Sequence, residues 1–176
     1  MNDGKAADVA KNIASLGTGT APERAAAAES LCRAGSDAAP AAVPLVRACG
    51  DDDADVREWA VAALEELGPP PRADVATLAS LAAADNPLVS YWAITLLGRL
   101  GTLLGRSGPD ASAAVAALSA RLESGGDPAA VERAAWALGK IGPAAAPARG
   151  PLERAAAAAD PRLARLAAEA LESIGG

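Results

Sequence analysis

One segment recurs five times in this chain without gaps, and that recurrence limits the fold more than any other feature. The copies are TAPERAAAAESLCRAG from Thr20, DADVREWAVAALEELG from Asp53, NPLVSYWAITLLGRLG from Asn86, DPAAVERAAWALGKIG from Asp127 and DPRLARLAAEALESIG from Asp160. Their closing glycines, Gly35, Gly68, Gly101, Gly142 and Gly175, are spaced by 33, 33, 41 and 33 residues, so one unit repeats with a single 8-residue insertion. A period of this length marks a stacked repeat architecture.

Each copy carries an alanine at one position (Ala27, Ala60, Ala93, Ala134, Ala167) and a leucine four residues later (Leu31, Leu64, Leu97, Leu138, Leu171). That spacing describes one face of a helix. In the second repeat the stripe comprises Val56, Ala60, Ala63, Leu64 and Leu67. Thr20, Asp53, Asn86, Asp127 and Asp160 begin the copies and read as N-caps, whose side chains accept from free amides. The closing glycine reads as a left-handed C-cap, and Pro69 or Pro143 then blocks continuation.

Weaker helical patterns lie between the copies, around 40–49, 74–84, 110–124 and 147–159, with a first helix over 5–16. The unit is therefore a helical hairpin. Alone it cannot bury its apolar face, so neighbours must stack. The expected fold is an all-α, right-handed α-solenoid of five antiparallel helix pairs. It forms one domain over 1–176, with repeats at 5–35, 36–68, 69–101, 102–142 and 143–175.

Composition agrees with close-packed helices, since 51% of residues are hydrophobic but only 2% aromatic, with no Phe. The net charge of −6 repels phosphate backbones and argues against nucleic acid as partner. The chain has no His, the commonest general acid/base and transition-metal ligand, and Cys32 and Cys49 form no CxxC. These features point away from catalysis, and no cofactor is expected. Two free thiols in a reducing cytoplasm are expected, with neither a signal peptide nor a membrane span.

The consensus D-P-x-x-R-x-x-A-x-x-A-L-G-x-I-G, clearest in DPAAVERAAWALGKIG and DADVREWAVAALEELG, resembles the HEAT repeat. It is most similar to the short bacterial form named after phycobilisome lyases. The first repeat departs most, with Thr20 for Asp and Ala34 at the last apolar position. The ankyrin TPLH signature and the tetratricopeptide W-x-x-L-G-x-x-Y spacing are missing. The resemblance implies a right-handed stack with the motif helices lining a concave inner surface. It also implies pairing of the recurrent arginines, Arg24 and Arg57, with a neighbour's carboxylate.

DDDAD, Asp51 to Asp55, looks at first like a metal site. Val56 and Ala62, however, stand where a calcium loop needs Gly and Glu, so the run reads as a cap with surplus carboxylates at a positive helix end. Arg33, Arg99 and Lys140, near helix ends, are expected to favour the C-terminal dipole or stay solvated.

Candidate partner-binding residues are the large ones off the buried stripe. Trp136 and Tyr91 point nearly opposite it, and Trp59 and Trp92 lie about a quarter turn from its centre. Leu88, Thr95, Gly98 and Gly139 lie on or near the same, concave side as Trp136 and Tyr91 and should leave an apolar, partly hollow patch, with Arg99 beside it. Asp55, Glu58, Glu65 and Glu66 form an acidic flank that a basic partner could use. Exposed aromatics within a charged rim are the composition of a protein-binding hot spot.

The leading expectation is a non-catalytic scaffold for a peptide or protein on the concave face. Sealing of the contact between repeats is an equal alternative for Trp59 and Trp92. The functional alternative is a phycobilin lyase-like subunit or tetrapyrrole-binding protein. Ala164, Leu166 and Ala168 in the last repeat offer an edge for self-association, and the insertion, 102–114, is a further candidate contact.

Overall fold

A computed structural model of the chain describes residues 3–105 and 108–175, so Arg106 and Ser107 of the insertion lie outside the described residues. Among the described residues every regular element is helical. The chain divides into two compact units, residues 1–74 and 75–176.

The N-terminal unit holds α1 (Asp3–Thr18), α2 (Ala21–Ala34), α3 (Ala42–Ala48) and α4 (Ala54–Glu66). The motif helices α2 and α4 pack on each other, with α1 against α2 and α3 against α4. The C-terminal unit holds α5 (Val75–Leu81), α6 (Pro87–Arg99), α7 (Gly101–Leu104), α8 (Pro109–Ser124), α9 (Pro128–Ile141), α10 (Arg149–Ala156) and α11 (Pro161–Gly175). There the motif helices α6, α9 and α11 form one layer with α9 in the middle, and α5, α8 and α10 form the other.

The stripe is buried as its period requires. Val56, Ala60, Ala63, Leu64 and Leu67 are at most 3% exposed, and the recurring alanines Ala27, Ala60, Ala93, Ala134 and Ala167 are buried in every repeat. Leu31, Leu64, Leu97 and Leu138 are fully buried, each stabilising the fold by roughly 2 kcal/mol relative to exposure. Leu171, in the last repeat, is only half-buried.

Four of the five caps accept as expected. The Asp53 carboxylate accepts the amides of Asp55 (3.0 Å) and Val56 (3.2 Å), and Asn86 accepts those of Leu88 (3.0 Å) and Val89 (3.2 Å). Asp127 accepts from Ala130 (3.0 Å), and Asp160 from Arg162 (2.8 Å) and Leu163 (3.1 Å). Thr20 caps α2 through a capping box with Glu23, and its amide and hydroxyl both donate to the Glu23 carboxylate at 2.7 Å. The longer Glu23 side chain reaches back to the helix start, and the Thr20 hydroxyl holds its carboxyl below the usual range.

The glycine rule needs correction. Of the five closing glycines only Gly35 (φ 55°) and Gly142 (φ 69°) adopt a left-handed φ. Gly101 instead starts α7, so the chain continues helically into the insertion; a Cβ there would stand 2.4 Å from the Lys140 carbonyl oxygen. Gly101 is small because α9 crosses it. At Gly35 and Gly142 the chain turns into 3-10 segments, GSDAAPA and GPAAAPA, with Pro40 and Pro147 inside them. The helices that follow, α3 and α10, start later than the apolar pattern suggests, since each proline lacks the amide a helix interior uses.

The DDDAD loop is held by arginines from two motif helices. Arg24 grips Asp51 through two hydrogen bonds, Nε to Oδ2 and Nη2 to Oδ1, both 2.7 Å, and donates from Nη1 to the Gly19 carbonyl (3.0 Å). Arg57 donates to the carbonyls of Asp51 (2.7 Å) and Asp52 (2.9 Å). The recurrent arginine thus pairs with a neighbouring carboxylate at Arg24 and binds backbone at Arg57. Nearby, Cys32 and Cys49 are free, and burial pushes the Cys49 thiol up to about 12, which keeps it protonated.

A second arginine closure was not apparent from the repeat. Arg121 of α8 donates to the Ala82 carbonyl from Nε (3.1 Å) and Nη2 (2.7 Å) and to the Ala84 carbonyl (3.2 Å), and the Ser90 hydroxyl also donates to Ala82 (2.8 Å). These donors serve carbonyls left without helical partners where α5 ends. Arg121→Ala should therefore lower unfolding free energy by about 2 kcal/mol in urea titrations.

The Arg24 guanidinium lowers the Asp51 carboxyl below its ordinary 3.8. This ion-pair contribution is complete above that value and is lost as pH falls through the lower, folded one. Between about pH 6 and about pH 2.5, Asp51→Asn should lose less stability than the parent chain; equal slopes in urea melts would refute the linkage.

Candidate functional site

The aromatic cluster of the C-terminal unit is built around α9. Trp136 projects from the side of α9 opposite its stripe and meets Gly98 of α6, where a Cβ would stand 2.2 Å from the indole Cζ3. The hollow expected at Gly98 is therefore occupied by this ring, and Trp136 is half-buried. Gly139 similarly admits α11, with Ala170 Cα 3.2 Å from a Cβ built there.

Arg133 joins the two expected aromatics. Its guanidinium carbon lies 4.8 Å from the Tyr91 ring centroid and 4.9 Å from that of Trp136, and its Nη2 donates to the Tyr91 hydroxyl. Lys140 Nζ is 5.8 Å from the Trp136 centroid. Such contacts hold a cation against a ring for roughly 1 kcal/mol each. Lys140 therefore sits over an indole, beyond the dipole or solvent role expected for it. Arg99 is similar, 5.7 Å from the Trp92 centroid. Arg33 pairs within its own helix with Glu29.

Two clefts flank Trp136. The larger, about 220 Å³, lies between α9 and α11 and is lined chiefly by Tyr91, Glu132, Arg133, Trp136, Arg165 and Leu166. The other, about 100 Å³, is lined by Trp136, Gly139, Lys140, Leu166, Glu169 and Ser173 among others. Across the first, Arg162 pairs with Glu132 (2.8 Å); on α11, Arg165 pairs with Glu169 (2.8 Å). A larger cleft of about 480 Å³ lies in the N-terminal unit beside α1 and α2, with Lys5, Asp8, Lys11, Asn12, Ser30 and Arg33 on its walls, but it holds no aromatic ring.

The structure brings Tyr91 and Trp136 together. It does not leave Trp92 or Thr95 open, for they are 6% and 5% exposed. Trp92 meets Tyr91 edge-on at 5.7 Å, and Thr95 spends its hydroxyl on the Tyr91 carbonyl (2.8 Å). Both support the Tyr91 turn from within. Leu88 is exposed at 41%. Trp59, Glu58 and Glu65 belong to the other unit, where Trp59 is 37% exposed and both glutamates lie on the surface of α4. In the last repeat Ala168 is exposed and Ala164 and Leu166 are half-buried.

Arg133 is not among the large aromatics, and Leu166 reads from sequence only as part of an edge for self-association. Aligning the copies reveals them, because the column holding Trp59 and Trp92 continues as Arg133 and Leu166. Among the described residues no group of three or more His, Cys, Asp or Glu is placed to hold a metal, and no helix is long and apolar enough to cross a membrane.

Consecutive helical hairpins with one motif helix per repeat define a helical-repeat protein of the α-solenoid class. The family model described as HEAT repeats matches residues 11–98, half of the chain, and the protein belongs to that family. The phycobilisome-lyase type stands as a resemblance only. No curated protein matches the chain. The fold is similar to the crystal structure of an engineered protein at TM-score 0.65 and 21% identity, covering 95% of this chain and 79% of that one. It is also similar to a designed armadillo repeat protein in complex with the peptide (KR)4, at TM-score 0.64 and 16% identity over 93% of this chain and 80% of that one. At these identities the likeness shows the fold.

Because Trp136 occupies the space Gly98 leaves, Gly98→Ala should expel the indole and cost about 2 kcal/mol in a chemical melt. Tryptophan emission should shift red; an unchanged spectrum would mean that the ring is not seated there.

Proposed function

We propose that the protein is a non-catalytic interaction module that holds a peptide or protein surface on the concave side of its motif helices, centred on Trp136 and Tyr91. One observation carries this reading. Trp136 is seated on one side by Gly98 and opens on the other into two clefts, so a large, rigid ring is presented with little entropy left to lose on binding. That a neighbour of the same fold holds a peptide supports it. Leu88 and Arg99 extend the surface along α6, and Trp92 and Thr95 serve by holding Tyr91 in place. A reducing, cytoplasmic setting fits the two free thiols.

Because the indole also packs on Gly98, Trp136→Ala should cost about 2 kcal/mol of stability besides removing an anchor. Val131→Ala, which deletes buried atoms from the same helix away from the rings, is the matched control. Affinity capture from the host should lose its partner with Trp136→Ala and retain it with Val131→Ala. Loss with both, or retention with both, would refute the proposed site.

A further inference from the structure

We infer that the Trp136 site takes an acidic segment, one in which carboxylates flank an apolar side chain. The inference rests on the docking role proposed above and gives it a chemical sign. The whole net charge of −6 belongs to the N-terminal unit, with 13 Asp and Glu against 7 Lys and Arg, whereas the C-terminal unit has 9 of each. Within that neutral unit the walls of the two clefts are not neutral, since Arg133, Lys140, Arg162 and Arg165 face Glu132 and Glu169.

Both carboxylates are already engaged, Glu132 by Arg162 and Glu169 by Arg165. Arg133 and Lys140 make no ion pair among the described residues, and their charges rest on aromatic faces. A ring fixes where such a cation sits without neutralising it. Tyr91 goes further, because its hydroxyl takes one guanidinium nitrogen of Arg133 and orients the plane. The remaining N–H groups stay free for a bidentate carboxylate.

Arg133 and Lys140 are seven residues apart, so two helical turns place them along one side of α9 with Trp136 between them. An acidic residue at each end and an apolar one against Trp136 and Leu166 would satisfy all three. The acidic flank of the second repeat suggested a basic partner, but those carboxylates belong to the N-terminal unit, and at the rings the free charge is positive.

The test uses a fluorescein-labelled Glu-Leu repeat peptide and its Lys-Leu counterpart, with the full chain and anisotropy as readout. The Glu-Leu peptide should bind and the Lys-Leu peptide should not, and the affinity should fall as salt rises from about 50 to about 500 mM. Arg133→Gln with Lys140→Gln should weaken binding about tenfold or more while leaving helicity unchanged, and Arg133→Lys should restore part of it. If the Lys-Leu peptide binds and Trp136→Ala abolishes that binding, docking at the rings survives and the acidic assignment is overturned. If the Glu-Leu peptide binds the parent chain and the double variant equally, the acidic assignment is again overturned. Binding of neither peptide overturns it too, whereas capture of host partners that ignores Trp136→Ala overturns the docking role itself.

Discussion

The C-terminal unit depends on missing side chains. Where α9 approaches α6, α7 and α11, close contacts fall at Gly98, Gly101 and Gly139, and a methyl group at Gly98 or Gly101 would collide with an indole or a backbone carbonyl. The recurring alanines extend the same principle along the stripe, keeping each motif helix near enough for its leucines to lock. An alanine-rich core is weak per residue but tolerates close approach.

Once α9 is fixed at that distance, the charge pattern follows. Arg133 cannot retreat into solvent without leaving both the Tyr91 hydroxyl and two ring faces, and Lys140 is drawn over the far side of the indole. The site is therefore rigid where it is aromatic and cationic where it is open. The N-terminal unit uses its arginines differently. There Arg24 and Arg57 face inward to the DDDAD loop, so the same residue type that presents charge in one unit secures a turn in the other.

Much of the fold was legible because its cause is periodic. Five copies of one pattern identify the buried alanines and leucines, and four polar starts act as caps because each side chain accepts amides of its own helix. At Thr20 the corner is shared, because Glu23 is long enough to reach back to the Thr20 amide and complete a capping box. The five closing glycines look identical in sequence, yet two release a left-handed turn and Gly101 makes space for α9. A glycine carries no mark of which service it performs.

By itself the sequence determined the helical class, the repeat, the stripe and the neighbourhood of Tyr91 and Trp136, since all of these follow from spacing along one chain. Only the tertiary structure decided that Thr95 and Trp92 are covered, that Trp136 fills the hollow at Gly98, and that Arg133 joins the two rings. The physical reason is that helical period gives a direction from one axis but not what stands in that direction. Exposure is set by the neighbouring helix, and its distance is set by the small residues between them.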